Sequence, residues 1–260
     1  MPKNKKSSQQ KKLDLASHAP KVPFRTLSRS AQTLGSNKKN AQEAGALRIE
    51  LCQELSVGGV TPSYGLIKQV KDQLSIETFV LIRPRSGNFN YSEVEFEIMK
   101  YDIQLIKEIG CHGIVSGVLN ADNTLDIART KELIELSKPM SFTFHRGFDC
   151  VPNPFKVLEQ LIDLGVDRIL TSGQANSPEK GLELLKKLHK KANNRITILA
   201  GSGINLQNVE LFKNSGFNEI HTSASKAVEN KTKPTRFDTI QTESDVVTIQ
   251  FILKAIQDEV

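Results

Sequence analysis

The stretch Asp-Leu-Gly-Val-Asp-Arg-Ile, residues 163–169, carries the pattern that predicts the fold. An amphipathic run precedes it (FKVLEQLID, 155–163) and an apolar run follows it (RILT, 168–171). Glycine is the usual residue just after a helix because it adopts the left-handed conformation without a Cβ clash. The stretch is therefore typical of a helix that ends where a buried strand is about to begin. Similar joins stand at 43–49 (EAGALRI), 108–114 (EIGCHGI) and 214–220 (NSGFNEI).

Seven apolar segments predict β-strands, in alternation with helical segments. The strands are expected at 48–52, 79–84, 113–119, 140–146, 168–173, 196–203 and 219–225; helices include about 92–109, 126–137 and a last one near 246–258. Near-continuous Val, Ile and Leu runs suit strands that are covered on both faces. With an eighth strand near 21–27, this alternation predicts an α/β fold, a (β/α)8 TIM-type barrel. A doubly wound open sheet is the alternative.

The charge of the chain is divided unevenly. The whole chain carries +6. Residues 1–40 hold ten Lys and Arg against the single acid Asp14, so they carry +9 and the remaining 220 residues sum to −3. Residues 1–20 are expected to be a disordered, solvated basic tail, and residues 21–260 the barrel domain. Nucleic-acid contact or nuclear targeting is the other interpretation of the tail, and of the tail alone.

Several classes of protein are disfavoured by composition. No apolar run approaches the roughly 18 residues of a membrane span, and the polar, lysine-rich start is unlike a signal peptide. Three cysteines, Cys52, Cys111 and Cys150, are too few for a disulfide framework. We therefore expect a soluble, reduced protein of the cytoplasm, with nuclear location as an addition that the tail would permit.

Polar side chains follow the ends of several predicted strands. Glu50 and Cys52 end one strand, Arg83 and Arg85 follow the next, and T-F-H-R-G-F-D (143–149) ends an apolar run. The carboxyl ends of the strands meet at one face of a barrel, where active sites are housed. A barrel without a site would fill these positions with Val, Ile and Leu, so the sequence predicts a polar, cationic pocket.

The candidate roles in this pocket follow from side-chain chemistry. His145 would act as an acid or base near neutral pH, and Arg146 or Arg83 would hold an anionic substrate through the forked guanidinium. Asp149 would orient His145 or pair with an arginine. With Glu50, these form the catalytic candidates. The alternative is an ion-pair network that only holds the rim together, Glu50 with Arg83 and Asp149 with Arg146.

A second set of residues points to an anion. A-G-S-G-I-N (200–205) precedes a helix, and T-S-A-S (222–225) follows the last strand. Barrels often bind phosphate with the loops after their last two strands. Ser202, Gly203 and Ser223, with Arg85 nearby, are therefore candidate phosphate- or anion-binding residues. The alternative is that the glycines only permit a tight turn.

The chain resembles the CutC family, the so-called copper homeostasis proteins, which adopt a TIM-type barrel. The motifs that carry the resemblance lie in order between about residues 40 and 225. They are AGALRIELC (44–52), GGVTPSYG (58–65), IRPRSGNFNYS (82–92), TFHRGFD (143–149), LTSG (170–173) and AGSGI (200–204). Each motif is weak alone, but the ordered set is highly specific.

The resemblance implies copper binding through cysteines. One family cysteine corresponds to Cys52, and the other lies on the first strand, in a segment that usually reads like LEIC. The segment here is KVPFRTLSRSAQTLG (21–35), without a cysteine. Cu(I) favours soft thiolate and thioether ligands, so Cys52 alone would make a weak site; a structural thiol is the alternative. Cys150 would lie on the same rim, and Cys111 is expected to be a buried small hydrophobe.

Two functions therefore compete. One is a copper-binding homeostasis protein, with Cu(I) as the cofactor. The other is an enzyme that acts on a small anionic or phosphorylated metabolite. A scaffold for interactions alone is a third and weaker interpretation, because a scaffold needs no convergent charged rim. The segment 226–245 would suit a subunit contact in a homo-oligomer.

Overall fold

The computed structural model describes residues 25–31, 36–227, 236 and 242–256, and the side chains of 25–31 and 36–39 are not considered. The expected tail at 1–20 lies outside the described residues. Eight parallel strands form a closed barrel in sequence order. Its first strand is β1 (Arg25–Ala31), and seven more follow: β2 (Arg48–Cys52), β3 (Glu77–Leu81), β4 (Gly113–Ser116), β5 (Ser141–Phe144), β6 (Arg168–Thr171), β7 (Thr197–Ala200) and β8 (Glu219–Thr222).

Helices lie between the strands. They are α1 (Ser36–Glu43), α2 (Tyr64–Gln73), α3 (Glu93–Ile109), α4 (Ile127–Ser137), α5 (Pro154–Asp163), α6 (Leu182–Ala192), α7 (Val209–Asn214) and α8 (Val246–Ile256). Short 3-10 helices cover Leu55–Val57 and Arg146–Cys150. None of the described helices is long and apolar enough to cross a bilayer.

The predicted barrel is confirmed, and the doubly wound sheet is excluded because β1 pairs with both β2 and β8. The eighth strand, expected near 21–27, is described over Arg25–Ala31, so it extends beyond its expected end, and residues 21–24 lie outside the described residues. Several other strands end sooner than their apolar runs, because the chain turns into the loops at the mouth of the barrel. Past β8, a small antiparallel ribbon pairs β9 (Ser225–Ala227) with β10 (Thr242–Ser244), where the sequence suggested only a polar connection.

Local sequence explains the helix boundaries. Ser92 caps α3 in a reciprocal capping box with Glu95, and Gly110 ends the helix with φ 80°. Gly165 in the quoted join likewise has φ 78°, a value that a residue with a Cβ rarely adopts. These terminators set where each strand begins, and therefore which residues reach the mouth of the barrel.

The amino-terminal end of the barrel is closed by a buried ion network. Glu219, the first residue of β8, accepts hydrogen bonds from Arg48 Nη2 at 2.6 Å and Arg168 Nε at 3.0 Å. Both guanidinium groups lie over the ring of Phe79, at 4.8 and 5.6 Å from its centroid. Since these residues belong to β2, β3, β6 and β8, the network joins strands from different parts of the ring.

Candidate functional site

A cavity of about 280 Å³ opens at the carboxyl end of the strands. All five catalytic candidates line it: Glu50, Arg83, His145, Arg146 and Asp149. The remaining lining residues are Val57, Gly58, Leu81, Phe89, Cys150 and Leu170. The wall is therefore mixed, with a partly apolar interior and ionisable groups from β2 and from the segments after β3 and β5.

Glu50 supplies a carboxylate from within the barrel wall. It lies in the middle of β2 and is 1% exposed. Its Oε2 lies 3.8 Å from Nδ1 of His221, which comes from β8 and is also buried. A carboxylate and an imidazole at this separation can exchange a proton through a small movement of either side chain.

The ring of His145 is held in one orientation. The residue follows β5 and caps the 3-10 helix after it, so Nδ1 accepts a hydrogen bond from the Gly147 N–H at 3.2 Å. A neutral ring in this state carries its proton on Nε2. Phe89 packs against the ring, with centroids 4.5 Å apart. A Cβ at Gly117 or Gly147 would come within 2.9 Å of Cε1, so both positions need glycine.

Arg83 contacts the main chain of two loops. Nη1 donates to the carbonyls of Val57 and Gly59 at 2.9 and 2.7 Å, and Nη2 donates to the carbonyl of Gly87 at 2.8 Å. The guanidinium also lies over the ring of Phe89, 5.1 Å from its centroid. Arg83 therefore joins the loop after β2 to the loop after β3. Its predicted role as an anion ligand stays a prediction.

Arg146 and Asp149 form an ion pair at the mouth. Arg146 Nε donates to Asp149 Oδ2 at 2.8 Å, and Nη2 donates to the Ser172 hydroxyl at 3.3 Å. Asp149 also accepts from the hydroxyls of Thr171 and Ser172 and from the N–H groups of Ser172 and Gln174. The carboxylate therefore connects the turn after β5 to the turn after β6. The Arg146 side chain remains 41% exposed, so it can meet a ligand.

Arg85 lies outside the cavity lining. Its Nε and Nη2 bind the Glu95 carboxylate, at 2.5 and 3.4 Å. Further donors reach the carbonyls of Asn88 and Asn90, at 3.1 and 2.7 Å. Arg85 thus anchors its own loop to the start of α3, and its role as an anion ligand stays a prediction.

The other anion candidates are not gathered at the cavity. Ser202 is half-buried at φ 73°, while Gly203 (φ 127°) and Ser223 are exposed. Helix α7 starts only at Val209 and has six residues, so the glycine turn does not open directly into a helix. The anion-binding role of these three residues stays a prediction.

The three cysteines occupy different environments. Cys52 is fully buried inside the barrel, among Phe79, Leu81 and Val115. Cys111 is buried near the opposite end, where burial raises the pKa of its thiol to about 11. Cys150 is exposed and lines the cavity; partial burial and then the charge of Asp149 raise the pKa of its thiol. Cys150 is thus the thiol on the site rim.

The donor set around Cys52 does not fit a copper site. In the barrel register Ala31 of β1 stands opposite Cys52, and β1 contains neither Cys nor Met. Among the described residues no group of three or more His, Cys, Asp or Glu side chains could hold a metal ion. Cu(I) needs at least two soft ligands for tight binding, and this part of the wall offers one.

Sequence reasoning missed three contributors to this site. His221 was only a member of the predicted last strand, with no assigned role, yet it lies beside Glu50. Phe89, between Arg83 and His145, was part of a loop motif with no assigned role. Thr171 was part of a strand, and its hydroxyl binds Asp149. The alternation of side chains along β8 was the available signal for His221.

The fold and the site together define a class of protein. It is a closed parallel barrel with ionisable side chains at the carboxyl ends of its strands. The CutC family model matches residues 33–226, which is 194 of the 260 residues. A Pasteurella multocida protein named CutC is 50% identical over 184 residues, covering 70% of this chain and 75% of the relative. A CutC protein of Parabacteroides distasonis is 44% identical over 222 residues, covering 80% and 91%. The chain therefore belongs to the CutC family.

Solved structures agree with this assignment. A Streptococcus agalactiae protein, described provisionally as the copper homeostasis protein CutC, is 32% identical with a TM-score of 0.71. That match covers 77% of this chain and 98% of the other. Thiamine phosphate pyrophosphorylase from Pyrococcus furiosus matches with a TM-score of 0.55, over 90% of this chain and 95% of the other, at 14% identity. The second likeness shows the fold alone.

Proposed function

We propose that the cavity binds a small anionic metabolite and that its side chains transfer protons to and from this metabolite. The observation that carries this proposal is the convergence of five ionisable side chains from three separate segments on one cavity of about 280 Å³. A cavity of this size is at the lower end of small-molecule sites. A metabolite, rather than a macromolecule, is the ligand that it can enclose.

Arg146 is the anion ligand in this proposal. One edge of its guanidinium is held by Asp149 and Ser172, which fixes the plane of the fork. The exposed remainder can donate to a carboxylate or phosphate oxygen. Arg83 serves instead to hold the two mouth loops, because its Nη groups donate to three carbonyls. The ligand is thus anchored at the rim and extends towards Glu50.

Glu50 and His145 carry the proton transfers. Glu50 accepts a proton from the bound metabolite, and His221 at 3.8 Å stabilises or takes up that proton. His145, whose neutral ring carries its proton on Nε2, supplies the donor for a developing negative charge. The reaction class is acid–base chemistry on a small acid or phosphate ester, and the metabolite itself is to be found by screening.

A thermal-stability screen of the full-length protein against carboxylated and phosphorylated metabolites tests the proposal. A true ligand at about 100 times its Kd stabilises the fold by about 2.7 kcal/mol. We expect Arg146→Ala to lose this stabilisation. Arg195→Ala is the matched control, since Arg195 is 44% exposed and also pairs with a carboxylate, that of Glu159. Equal stabilisation of the Arg146→Ala variant would contradict the assignment.

Copper handling is the second candidate, favoured by membership of the CutC family and by the buried thiol of Cys52. Anaerobic Cu(I) titration of the reduced protein against a competing chelator tests it. Tight one-to-one binding that Cys52→Ser abolishes and Cys111→Ser leaves intact would support copper. The donor set around Cys52 leads us to expect weak binding, equal in both variants.

A further inference from the structure

The deep part of the cavity is apolar. Leu81, the last residue of β3, and Leu170 of β6 both line the cavity and are 2% and 3% exposed. Leu81 also packs with Phe79 and Val115 in an apolar cluster inside the barrel. Phe89 adds an aromatic wall from the loop after β3. A ligand that reaches this apolar floor (Leu81 and Leu170) meets hydrocarbon, which favours an apolar group on the ligand.

The apolar floor lies beside the ionisable pair of the site. A Cβ placed on Gly201, after β7, would lie 2.6 Å from Leu170 Cδ1 and 3.1 Å from His221 Cβ. Leu170 and His221 are therefore neighbours at this glycine. Since His221 Nδ1 lies 3.8 Å from Glu50 Oε2, an apolar group packed on Leu170 brings the next part of the same ligand close to the Glu50 carboxylate.

The charges of the lining favour a ligand with a single negative charge. The lining contains the guanidinium groups of Arg83 and Arg146 and the carboxylates of Glu50 and Asp149. With a neutral His145, the described lining residues therefore carry no net charge. A dianion would bring twice the uncompensated charge of a monoanion into a partly apolar cavity, which costs more desolvation. Arg146 Nε is held by Asp149, so the outer edge of the guanidinium is one fork, which fits one carboxylate.

The proton transfers proposed above call for a carbonyl group in the ligand. When Glu50 takes a proton from a carbon atom, the electron pair left behind moves onto an adjacent carbonyl oxygen. The Nε2–H group of His145 is the donor for that oxygen. Because His145 and Arg146 are consecutive residues that both line the cavity, a carbonyl and a carboxylate on neighbouring carbon atoms suit them.

We propose that the ligand is a 2-oxo monocarboxylate with an apolar side chain, an inference that rests on the function proposed above. Its carboxylate binds Arg146, its carbonyl oxygen accepts from His145, and its side chain packs on the apolar floor. Glu50 removes a proton from the carbon next to the carbonyl, and the C–H electron pair forms the enolate. Return of a proton to that carbon restores the oxo acid. In heavy water this cycle replaces the hydrogen by deuterium and needs no other reactant.

Two compounds of similar size test the ligand class. 4-Methyl-2-oxopentanoate ends in an apolar branch, whereas 2-oxoglutarate carries a second carboxylate at the corresponding place. Titration of the full-length protein should give a Kd at least about tenfold lower for the apolar acid. Proton NMR in heavy water should show faster deuterium exchange of this acid than in a protein-free blank, and Glu50→Gln should abolish the difference.

Leu170→Ala tests the apolar floor. We expect the preference for the apolar acid, given by the ratio of the two Kd values, to fall at least about fivefold. A general disturbance of the site would weaken both ligands and leave this ratio unchanged. Leu188→Ala is the matched control, because Leu188 of α6 is also a fully buried leucine and lies outside the cavity lining. Circular dichroism checks that each variant is folded.

Val57→Lys tests the charge argument at a position that tolerates change, since Val57 lines the cavity and is 45% exposed. An added cation should strengthen the binding of 2-oxoglutarate by about threefold. Val247→Lys is the control, because Val247 of α8 is 55% exposed and lies outside the lining; it should change neither Kd.

The outcomes separate this inference from the function on which it rests. A wild-type protein that prefers 2-oxoglutarate or glucose 6-phosphate, and loses that binding in Arg146→Ala, would overturn the apolar oxo acid and leave the proposed function standing. Preference for the apolar acid without protein-dependent exchange would overturn the assigned proton removal. If none of the three compounds binds and the metabolite screen is also empty, both proposals fail.

Discussion

Arg83 and Arg146 show how two similar side chains differ in what they can do. Both line the cavity, yet Arg83 is 5% exposed and donates to three main-chain carbonyls, whereas Arg146 is 41% exposed. Tyr91 shows the same effect of environment on a titrating group. Burial raises the pKa of its phenol to about 12, although nearby Arg83 and Arg85 act in the opposite direction. Chemical identity alone would assign both arginines one role.

The Tyr91 phenol predicts a loss of stability in alkali. In the unfolded chain a tyrosine ionises near pH 10, and in the fold Tyr91 ionises near 12. The unfolded state therefore loses its proton first, and the free energy of unfolding falls by about 2–3 kcal/mol as pH rises through this window. Tyr91→Phe should remove that part of the alkaline slope in urea titrations.

Tyr64→Phe is the control for this measurement, because Tyr64 is half exposed. Its phenol reaches solvent in the folded chain, so this variant measures the background effect of replacing a tyrosine by phenylalanine. If both variants showed the wild-type slope, the buried phenol would not be the group responsible.

At the level of elements, the mouth loops depend on one another. Arg83 joins the 3-10 turn after β2 to the loop after β3, and Asp149 joins the turn after β5 to that after β6. The sequence placed Glu50, Arg83, His145, Arg146 and Asp149 together because parallel strands bring their carboxyl ends to one face. It could not show the partners of Arg83, because those partners are carbonyls that every residue has. Loop conformation alone decides which of them face the guanidinium.

Arg83→Lys tests this coupling. An ammonium group keeps the charge but cannot reach three carbonyls on two loops with a planar fork. We expect the free energy of unfolding to fall by about 2–4 kcal/mol, with faster proteolysis at the loops after β2 and β3. Arg195→Lys at an exposed ion pair should change neither. Wild-type protease resistance in the Arg83 variant would exclude the coupling.

For the whole molecule, the buried network at the amino-terminal end matters as much as the mouth. Burial alone would raise the pKa of Glu219, but Arg48 and Arg168 outweigh it, so this pKa lies below its usual value. The sequence marked the strand starts correctly through the glycine joins. It did not reveal that three of these starts supply one ion network, because ring closure brings together residues as far apart as 48 and 219.

Glu219→Gln should destabilise the barrel by about 3–5 kcal/mol at neutral pH, because two buried cations lose their shared carboxylate. A carboxyl group whose pKa is lower in the folded chain than in the unfolded chain stabilises the fold at pH values above its unfolded pKa. This stabilisation is lost as the pH falls through the folded pKa. The wild type should therefore lose stability in acid more steeply than the variant, measured by urea unfolding between neutral and acid pH. Parallel slopes would show that Glu219 does not titrate with folding.

The register of β1 has an evolutionary consequence. The family match begins at residue 33, so β1 lies before it, yet the strand pairs with β2 and β8 along the ring. Strands pair through backbone hydrogen bonds, which form with many different side chains on the strand. An ancestral barrel could thus exchange its first strand and keep its architecture, while losing any chemistry which that strand had contributed. At Ala31, opposite Cys52, this chain keeps the strand pairing of the barrel and carries no thiol.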